Sequence, residues 1–426
     1  MTHAEHPPSY YTATANATER RPRLRGETRC DICVVGAGFT GLAAALALAE
    51  RGYEVVVIEA RRVGWGASGR SGGQLISGYA PGMAATARLV GRARARAMWD
   101  LAEEAKALVR DRIARHGIRC DIRRGYLLAA VKKRHLSELR EERDLVAGEW
   151  DYPHYRLLDR DGTRAAVASE RFLGGLVDGD GGHLHPLNYA LGLADAAAGA
   201  GVRIFEETPA VRLATGPAPV VDTPEGVVRA RHVVLACNAY VDEIVPRLRR
   251  LIMPVGTYIM ATEPLGEARA LALIPGDLAV CDTNFVLDYF RLTADRRMLF
   301  GGLVSYTERD PRDLEGAMRR RMLRTFPQLA DCRADYVWGG YVAITRNRLP
   351  AFGRLDGSLF YAHGFSGQGV ALTTLAGALI AEAVAGQAER FDVFAGLRHR
   401  DFPGGRALRA PLLVLATLYS RLRDLL

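Results

Sequence analysis

The chain has 426 residues, of which 49% are hydrophobic and 25% are charged, and this composition predicts a folded protein with room for two domains. It excludes a collagen-like chain, a disordered chain and a disulfide scaffold. Residues 1–29 are polar and lack the apolar core of a signal peptide, and no later apolar run approaches the about 20 residues of a membrane span. We therefore predict a cytoplasmic protein with no membrane span.

The net charge of +9 comes almost wholly from arginine, since only three of the 57 basic residues are lysines. The arginines are scattered, and no aromatic residues alternate with them as a nucleic-acid stacking surface requires. We therefore expect no nucleic-acid partner. One Cys-x-x-Cys pair, Cys30 and Cys33, lies in an apolar run and lacks a second pair of ligands, which predicts buried thiols and no metal site.

The predicted elements alternate between buried strands and helices in the first part of the chain. In order they are a strand at 30–35, a helix at 40–50, a strand at 54–60, a glycine-dense loop at 64–73, a helix around 98–113, a strand at 125–131, a helix at 186–200, and strands at 202–206, 209–213 and 232–236. This alternation is typical of a parallel sheet.

The second part of the chain has a different pattern. Alternating apolar runs at 256–261, 285–293 and 297–304 indicate an antiparallel sheet, followed by a helix at 311–324. A strand at 359–362, a glycine-rich turn at 364–369 and a helix at 370–385 return to the first pattern. The sequence therefore predicts two interleaved domains.

The sequence VVGAGFTG places a G-x-G-x-x-G motif between the first strand and the first helix. Gly36 permits a tight turn, Gly38 lets a pyrophosphate approach the backbone, and Gly41 lets the helix pack on the sheet. The N–H groups at the start of the helix are then available to phosphate. Glu59 ends the second strand, where a carboxylate accepts hydrogen bonds from ribose hydroxyls and repels a 2′-phosphate. This context predicts a bound dinucleotide other than NADP.

A second G-x-G-x-x-G match, GWGASG at 64–69, has no strand before it and no acidic residue at the right distance after it. The chain therefore has one dinucleotide-binding unit and no second one for a nicotinamide. A tightly held FAD is the simpler interpretation.

Several further segments resemble the D-amino-acid oxidase superfamily, which includes sarcosine and glycine oxidases. They are GAGFTG, IEARRVGWGASGRSGGQ (58–74), HPLNYALGLADAA (185–197), VVLACNAY (233–240), RLPAFGRL (348–355) and YAHGFSGQG (361–369). The segments SYYTATAN (9–16) and FRLTADRRMLFGG (290–302), with the C-terminal tail, are more specifically similar to the bacterial γ-glutamylputrescine oxidases within that superfamily.

The resemblance implies an α/β fold, α+β overall, in which a GR2-type Rossmann-like FAD-binding domain is interleaved with an antiparallel-sheet substrate domain. The predicted parts are a polar arm at 1–29, the FAD domain at 30–97, 183–245 and 335–398, the substrate domain at 98–182 and 246–334, and a tail at 399–426.

The motif and the resemblance together predict the residues that contact FAD, with Val211 contacting adenine through its backbone. They are Gly36, Gly38, Phe39, Thr40, Gly41, Glu59, Ala60, Arg61, Ser68, Gly69, Arg70, Ser71, Gly72, Gly73, Gln74, Val211, Gly364, Phe365, Ser366, Gly367, Gln368 and Gly369.

Two departures from the family pattern concern the flavin. Some relatives attach it through a His or Cys, but neither 64–73 nor 342–352 contains one, so we predict non-covalent FAD. Some relatives use a lysine beside the flavin to activate oxygen, whereas the three lysines here, at positions 106, 132 and 133, lie outside every flavin-like motif.

The resemblance also implies the chemistry, which is oxidation of a small-molecule amine. A hydride moves to flavin N5, the imine hydrolyses to aldehyde and ammonia, and O2 becomes H2O2. The predicted catalytic residues are Arg70, Tyr258 and Arg348. The candidates for pairing with a substrate carboxylate are Arg70, Arg291, Arg346 and Arg348, of which Arg348 is favoured.

The sequence leaves several points open. The aromatic candidates for the pocket wall, each equally consistent with core packing, are Trp65, Tyr258, Tyr289, Phe290, Trp338 and Tyr341. A dehydrogenase of the same fold that uses a quinone-type acceptor and a FAD-containing tRNA-modification module are the alternative functions. The physiological amine and the oligomeric state are not determined by the sequence.

Overall fold

The structure is a computed structural model, and it describes residues 5–17, 19–241, 244–306 and 310–403. In chain order the strands are β1 Gly26–Arg29, β2 Ile32–Val35, β3 Val55–Ile58, β4 Gln74–Leu75, β5 Arg123–Ala130, β6 Tyr155–Leu158, β7 Gly174–His183, β8 Arg203–Phe205, β9 Arg212–Ala214, β10 Val220–Asp222, β11 Gly226–Arg229, β12 His232–Leu235, β13 Ile252–Thr262, β14 Ala279–Asp282, β15 Tyr289–Leu292, β16 Met298–Ser305, β17 Ala334–Thr345, β18 Ala351–Leu355 and β19 Leu359–His363.

The α-helices are α1 Tyr10–Ala13, α2 Phe39–Ala49, α3 Met83–Val90, α4 Arg92–Arg115, α5 Lys133–Arg143, α6 Arg160–Ala166, α7 Pro186–Gly199, α8 Pro246–Leu251, α9 Glu267–Leu273, α10 Leu314–Thr325, α11 Val370–Val384 and α12 Glu389–Ala395. Single turns of 3-10 helix lie at Ala67–Gly69, Asn238–Tyr240 and Pro327–Leu329, and a π-helical turn lies at Asp144–Glu149.

A six-stranded sheet forms the centre of the Rossmann-like domain, with the strand order β18-β19-β12-β2-β3-β8. All its strands run parallel except β18, which is antiparallel to β19 at the edge. Successive side chains of a strand point to opposite faces. Val34 therefore packs in the core that contains helices α2, α7 and α11, whereas Val35 faces the other side, toward β10 and β11. The predicted parallel βαβ unit is confirmed.

A nine-stranded sheet forms the second layer, with the order β17-β13-β16-β15-β14-β5-β7-β4 and β6 paired to β7. It is antiparallel except between β5 and β14. One of its faces packs on a separate apolar core that includes Phe290, Phe300 and helix α10. The predicted fold class, a Rossmann-like domain interleaved with a largely antiparallel sheet, is confirmed.

The N-terminal residues are more ordered than the predicted polar arm. Tyr10 and Tyr11 are buried, and β1 pairs in parallel with β11 in a four-stranded sheet whose order is β1-β11-β10-β9. The apolar pair of tyrosines explains the difference, because two aromatic rings that enter a core outweigh the polarity of the surrounding residues.

Two of the predicted domain boundaries do not coincide with the limits of the two large sheets. Strand β17 lies almost wholly inside the predicted third segment of the FAD domain, yet it is the edge strand of the nine-stranded sheet. Helix α4, in the predicted substrate domain, contacts α11 of the Rossmann-like domain. Residues 404–426, most of the predicted tail, lie outside the described residues.

In the part of the chain that the structure describes, no single helix has the length and apolar character to cross a membrane; helices α11 and α12 would meet those criteria only as a pair, and they are bent by 119° at their junction.

Candidate functional site

The turn between β2 and α2 leaves no room for side chains. A Cβ atom at Gly41 would lie 1.9 Å from the carbonyl oxygen of Gly36, and Gly36 itself has a φ of +107°. A Cβ at Gly38, the residue before helix α2, would lie 2.9 Å from Oγ of Ser68. That hydroxyl accepts a hydrogen bond from the N–H of Phe39 (3.0 Å), so Ser68 caps the start of the helix.

Glu59 follows β3 and bends back to the glycine turn. Its carboxylate accepts hydrogen bonds from the N–H of Ala37 (2.8 Å) and the N–H of Arg61 (3.0 Å). Desolvation raises the pKa of Glu59, and the two backbone N–H groups oppose that shift. The carboxylate oxygens have further lone pairs, so Glu59 can also accept a ribose hydroxyl.

A cleft opens at the carboxyl ends of β2, β3 and β12, where Val35, Ile58 and Ala236 form its floor. Ligands of open parallel sheets bind at this edge. The predicted FAD-contacting residues that line the cleft are Gly36, Gly38, Phe39, Thr40, Glu59, Ala60, Arg61, Ser68, Ser71, Phe365, Ser366, Gly367 and Gly369. The fold thus brings together residues that are more than 300 positions apart in the chain.

Arg70 holds the loop 65–74 to the nine-stranded sheet. Its guanidinium donates to the carbonyl groups of Trp65 (2.7 Å) and Gly339 (3.1 Å) and lies 4.0 Å from the centroid of the Trp65 ring. Burial lowers the pKa of Arg70. Two of its five N–H groups therefore hold the loop in place. Its predicted catalytic role stays a prediction.

Other predicted residues of this loop pack behind the cleft and do not line it. They are Gly69, Gly72, Gly73 and Gln74. A Cβ at Gly72 would lie 2.7 Å from the ring of Tyr289, and one at Gly73 would lie 2.1 Å from the carbonyl oxygen of Leu184. Gln74 donates its side-chain amide to the carbonyl of Val280 (3.0 Å). Gly41 likewise lies outside the lining and serves helix packing.

The loop 364–369 borders the other side of the cleft. The N–H of Gly364 donates to Oδ1 of Asn238 (3.0 Å), and the N–H of Ser366 donates to the carbonyl of Ala343 (3.0 Å). Gly364 has a φ of +74°, and a Cβ there would lie 2.4 Å from Cγ2 of Thr345. Gly364 and Gln368 do not line the cleft, so they contribute to the conformation of the loop and not to the cleft surface.

Three buried polar atoms on these two loops have no hydrogen-bond partner among the described residues. They are Nη2 of Arg70, Oγ of Ser71 and Oε1 of Gln368. Of the three, only Ser71 lines the cleft. Buried donors and acceptors are normally paired, so its hydroxyl suits a polar ligand there, such as the edge of a flavin ring. With the glycine turn and Glu59, the site fits FAD.

The structure places Val211 just outside the cleft. Its side chain is exposed, its N–H donates to the carbonyl of Asp222 (2.8 Å), and it does not line the cleft. The preceding residues Pro209 and Ala210 line the cleft. The backbone contact of Val211 with adenine, which the resemblance implies, stays a prediction.

The structure places Tyr258 away from the cleft, and its predicted catalytic role stays a prediction. Its ring is buried in the core shared with Met260 and Phe290, against Gly339, and its hydroxyl donates to Oδ1 of Asp310 (2.8 Å). It does not line the cleft. Phe290 lies in the same core, stacked on Phe300, so neither aromatic residue forms the pocket wall. Trp65 does line the cleft.

The arginine candidates have different surroundings. Arg291 uses four of its five N–H groups within the protein, on three carbonyl groups and on the hydroxyl of Tyr11. Arg346 is exposed. Arg348 has a φ of +63°, its buried Nε has no partner among the described residues, and its guanidinium lies 5.6 Å from the ring centroid of Phe285. Burial lowers the pKa of Arg348.

Sequence reasoning missed several residues that line the cleft. They are Pro209, Ala210, Cys237, Asn238, Tyr240, Ile244, Val342, Ala343, Val370 and Thr373. Asn238 follows β12 with a φ of +45°, and a polar residue directly after a buried strand is the signal that could have found it. Among the described residues, no group of three His, Cys, Asp or Glu side chains is placed to hold a metal ion.

Comparisons with known proteins identify the family of this chain. The sequence pattern of the DAO family, described as FAD dependent oxidoreductase, matches residues 31–383. The gamma-glutamylputrescine oxidoreductase of Escherichia coli K12 is 45% identical over 424 residues, which cover 99% of both chains.

This chain belongs to the DAO family. It is a FAD-dependent oxidoreductase that acts on an amine or amino acid. Among solved structures, glycine oxidase from Geobacillus kaustophilus superposes on this DAO-family chain with a TM-score of 0.72 at 22% identity, covering 84% of this chain and 95% of its own. L-Proline dehydrogenase from P. horikoshii gives a TM-score of 0.71 at 20% identity, covering 88% of this chain and all of its own. At these identities the two structures support the fold alone.

Proposed function

We propose that this enzyme oxidises γ-glutamylputrescine, or a closely similar N-substituted amine, to the aldehyde and ammonia, with O2 reduced to H2O2. The observation that carries the proposal is the 45% identity to the gamma-glutamylputrescine oxidoreductase of E. coli over 99% of both chains. The cleft supports it, because its glycine turn, Glu59 and the hydroxyl of Ser71 fit a flavin dinucleotide.

FAD, when bound, would supply the two-electron acceptor for oxidation of the carbon that carries the amine. The chain's own residues would bind and orient the cofactor. Glu59 would accept hydrogen bonds from the ribose hydroxyls and the N-terminus of α2 would bind the phosphates, while helix α11, which begins at Val370, directs its positive end toward the loop 364–369. FAD is held without a covalent bond in this proposal, so acid precipitation releases the yellow colour; a coloured pellet would contradict it.

Arg348 is the proposed binding residue for the carboxylate at the far end of the substrate. It lies on the turn after β17, whose residues Val342 and Ala343 line the cleft, and its guanidinium lies against Phe285 in the loop between β14 and β15. Its buried Nε has no partner among the described residues, and a carboxylate ligand would offset the cost of desolvating this half-buried cation. The amine reacts at the opposite end of the molecule, so the proposal needs no arginine beside the flavin.

An anaerobic spectrum tests the reaction. We expect γ-glutamylputrescine to bleach the 450 nm flavin band faster than sarcosine, glycine or D-amino acids do at the same concentration. Fast bleaching by an amino acid and none by the polyamine conjugate would overturn the substrate assignment. A protein that takes up no FAD would overturn the whole proposal.

The electron acceptor needs a separate arm of the same experiment. Among the described residues, Lys106 is buried in an ion cluster and none of the lysines lines the cleft. A lysine beside the flavin would favour O2 as the acceptor, so its absence from the lining keeps the quinone-linked alternative open. An oxidase produces peroxide in air in proportion to amine consumed. Turnover with an artificial quinone and no peroxide would identify a dehydrogenase.

A further inference from the structure

Two carbonyl groups of the loop 65–74 are held from the side away from the cleft. Nε1 of Trp338 donates to the carbonyl of Arg70 (3.0 Å), and Nε of Arg291 donates to the carbonyl of Gly72 (2.7 Å). Ser71 lies between these two carbonyl groups, lines the cleft, and has a buried hydroxyl with no partner among the described residues. The two contacts therefore fix the backbone on either side of a hydroxyl that faces the cleft.

Tyr11 contacts both of the residues that hold the loop. Its ring is fully buried and meets the Trp338 ring edge-on, with the centroids 5.3 Å apart. Its hydroxyl accepts a hydrogen bond from Nη2 of Arg291 (3.1 Å). A residue near the N-terminus thus fixes the position of two side chains that lie some 280 and 327 positions later, on β15 and β17.

The segment around Tyr11, residues 5–16, is itself anchored along its length. Ser9 caps helix α1 by accepting from the N–H of Thr12 (3.1 Å). The N–H of Asn16 donates to Oδ1 of Asn188 (2.8 Å). At the other end, Nε1 of Trp65 donates to the carbonyl of Glu5 (3.1 Å), which returns the segment to the loop itself. The segment is therefore anchored to helix α7 at Asn188 and contacts the loop directly at Trp65.

Arg291 also brings a buried positive charge to the loop 65–74. Its donors go to the carbonyls of Gly72, Leu184 and Leu292 and to a phenol, and none goes to a carboxylate. The cation is buried, so its positive charge is only weakly screened by water. A reduced flavin carries more negative charge than an oxidised one, and a nearby buried cation stabilises it.

We propose that Tyr11 and Arg291 are positioning residues for FAD. They hold the backbone on either side of Ser71 so that its hydroxyl faces the flavin ring, and Arg291 adds a positive potential at that loop. This inference rests on the proposed place of the flavin ring at that loop. It gives the N-terminal segment a role in cofactor binding that the glycine turn does not explain.

Apoprotein titrated with FAD tests the proposal, with flavin fluorescence as the signal and urea unfolding of the apoprotein measured alongside. We expect Tyr11→Phe and Arg291→Lys each to weaken FAD binding about tenfold, because each removes hydrogen bonds to or from a charged group. Arg291→Gln should weaken it further and lower the flavin reduction potential, whereas Arg291→Lys, which keeps the charge, should leave the potential close to wild type.

Tyr79→Phe is the matched control. Tyr79 is equally buried, and its hydroxyl donates to the carbonyl of Met98 (2.8 Å), away from the cleft lining. It should bind FAD as the wild type does. The proposal is overturned if Tyr11→Phe and Tyr79→Phe have equal affinity, or if every loss of affinity is matched by an equal loss of apoprotein stability. A wild-type protein that binds no FAD would instead refute the proposed function.

Discussion

The carboxylate of Glu59 accepts the backbone N–H of Ala37 at 2.8 Å, which ties the end of the second strand of the Rossmann-like sheet to the middle of the glycine turn. Glu59→Gln replaces one of two acceptor oxygens by an NH2 group, so the N–H of Ala37 or of Arg61 loses its partner. We expect FAD to bind about tenfold or more weakly, as measured by equilibrium dialysis. Glu54→Gln is the control, since Glu54 is exposed and pairs with Arg203; equal loss in both variants would contradict the role of Glu59.

Arg348 and Arg346 offer a matched pair two positions apart. Arg348→Met should raise the KM for γ-glutamylputrescine about 10- to 100-fold with little change in kcat, the cost of a charge-assisted contact of about 1.5–3 kcal/mol. Arg346→Met should have no such effect, because Arg346 is exposed. N-Acetylputrescine lacks the carboxylate, so both variants should oxidise it as the wild type does. A loss of activity on both substrates would place Arg348 in the folding of the turn rather than in substrate binding.

Lys106 is fully buried among acidic groups. Its Nζ lies 2.9 Å from Glu103, 3.3 Å from Asp180 and 3.5 Å from Asp178. Lys106→Met leaves Asp178 buried without its cation, and we expect the free energy of unfolding to fall by about 3–5 kcal/mol in urea titrations. Lys133→Met on the exposed side of α5 should change it by less than about 0.5 kcal/mol. If both variants were equally stable, the cluster would contribute nothing to stability.

His185 gives the fold a dependence on pH. Its Nδ1 accepts from the N–H of Asn188 (3.1 Å) and caps helix α7, and burial together with the charge of Arg291 lowers its pKa from 6.5 to about 3. Between these values the unfolded chain binds a proton that the folded chain does not, so stability falls as pH falls below 6.5. The slope is at most about 1.4 kcal/mol per pH unit for one group.

His185→Asn isolates this contribution, because Asn also caps helices but does not titrate. We expect the melting temperature of the variant to fall less steeply than that of the wild type between pH 6.5 and pH 4. Parallel curves would show that His185 is protonated in the folded protein. Comparison of the two slopes also removes the effect of other buried histidines, which both proteins share.

The parts of the fold that the sequence predicted are those with strong local signals. Helix α2 and strand β3 follow from a glycine motif, a continuous apolar run and an acidic residue, all within 30 positions. The glycine-rich strand Gly174–His183 was not predicted, because glycine is unfavourable in strands. Its pairing explains it: a Cβ at Gly182 would lie 2.1 Å from the carbonyl oxygen of Arg123, so close strand contact requires the small residue.

The candidate site divides in the same way. The glycine turn, Glu59 and the loop 364–369 could be read from local patterns, and most of their predicted residues line the cleft. Tyr11 and Arg291 could not, because their contact joins residues 280 positions apart and nothing near either one indicates it. Ala210 lines the cleft and Val211 does not, because the point where the chain turns is set by the pairing of β9 with β10 beyond it.

The cleft is assembled from residues 35 to 373, and the central sheet is not complete until β19 has joined β12. Almost the whole polypeptide must therefore be synthesised before the nascent protein can form its FAD-binding cleft. Truncated products, which lack β19 and α11, would leave apolar strand β12 with one unpaired edge and would aggregate or be degraded rather than accumulate as colourless enzyme.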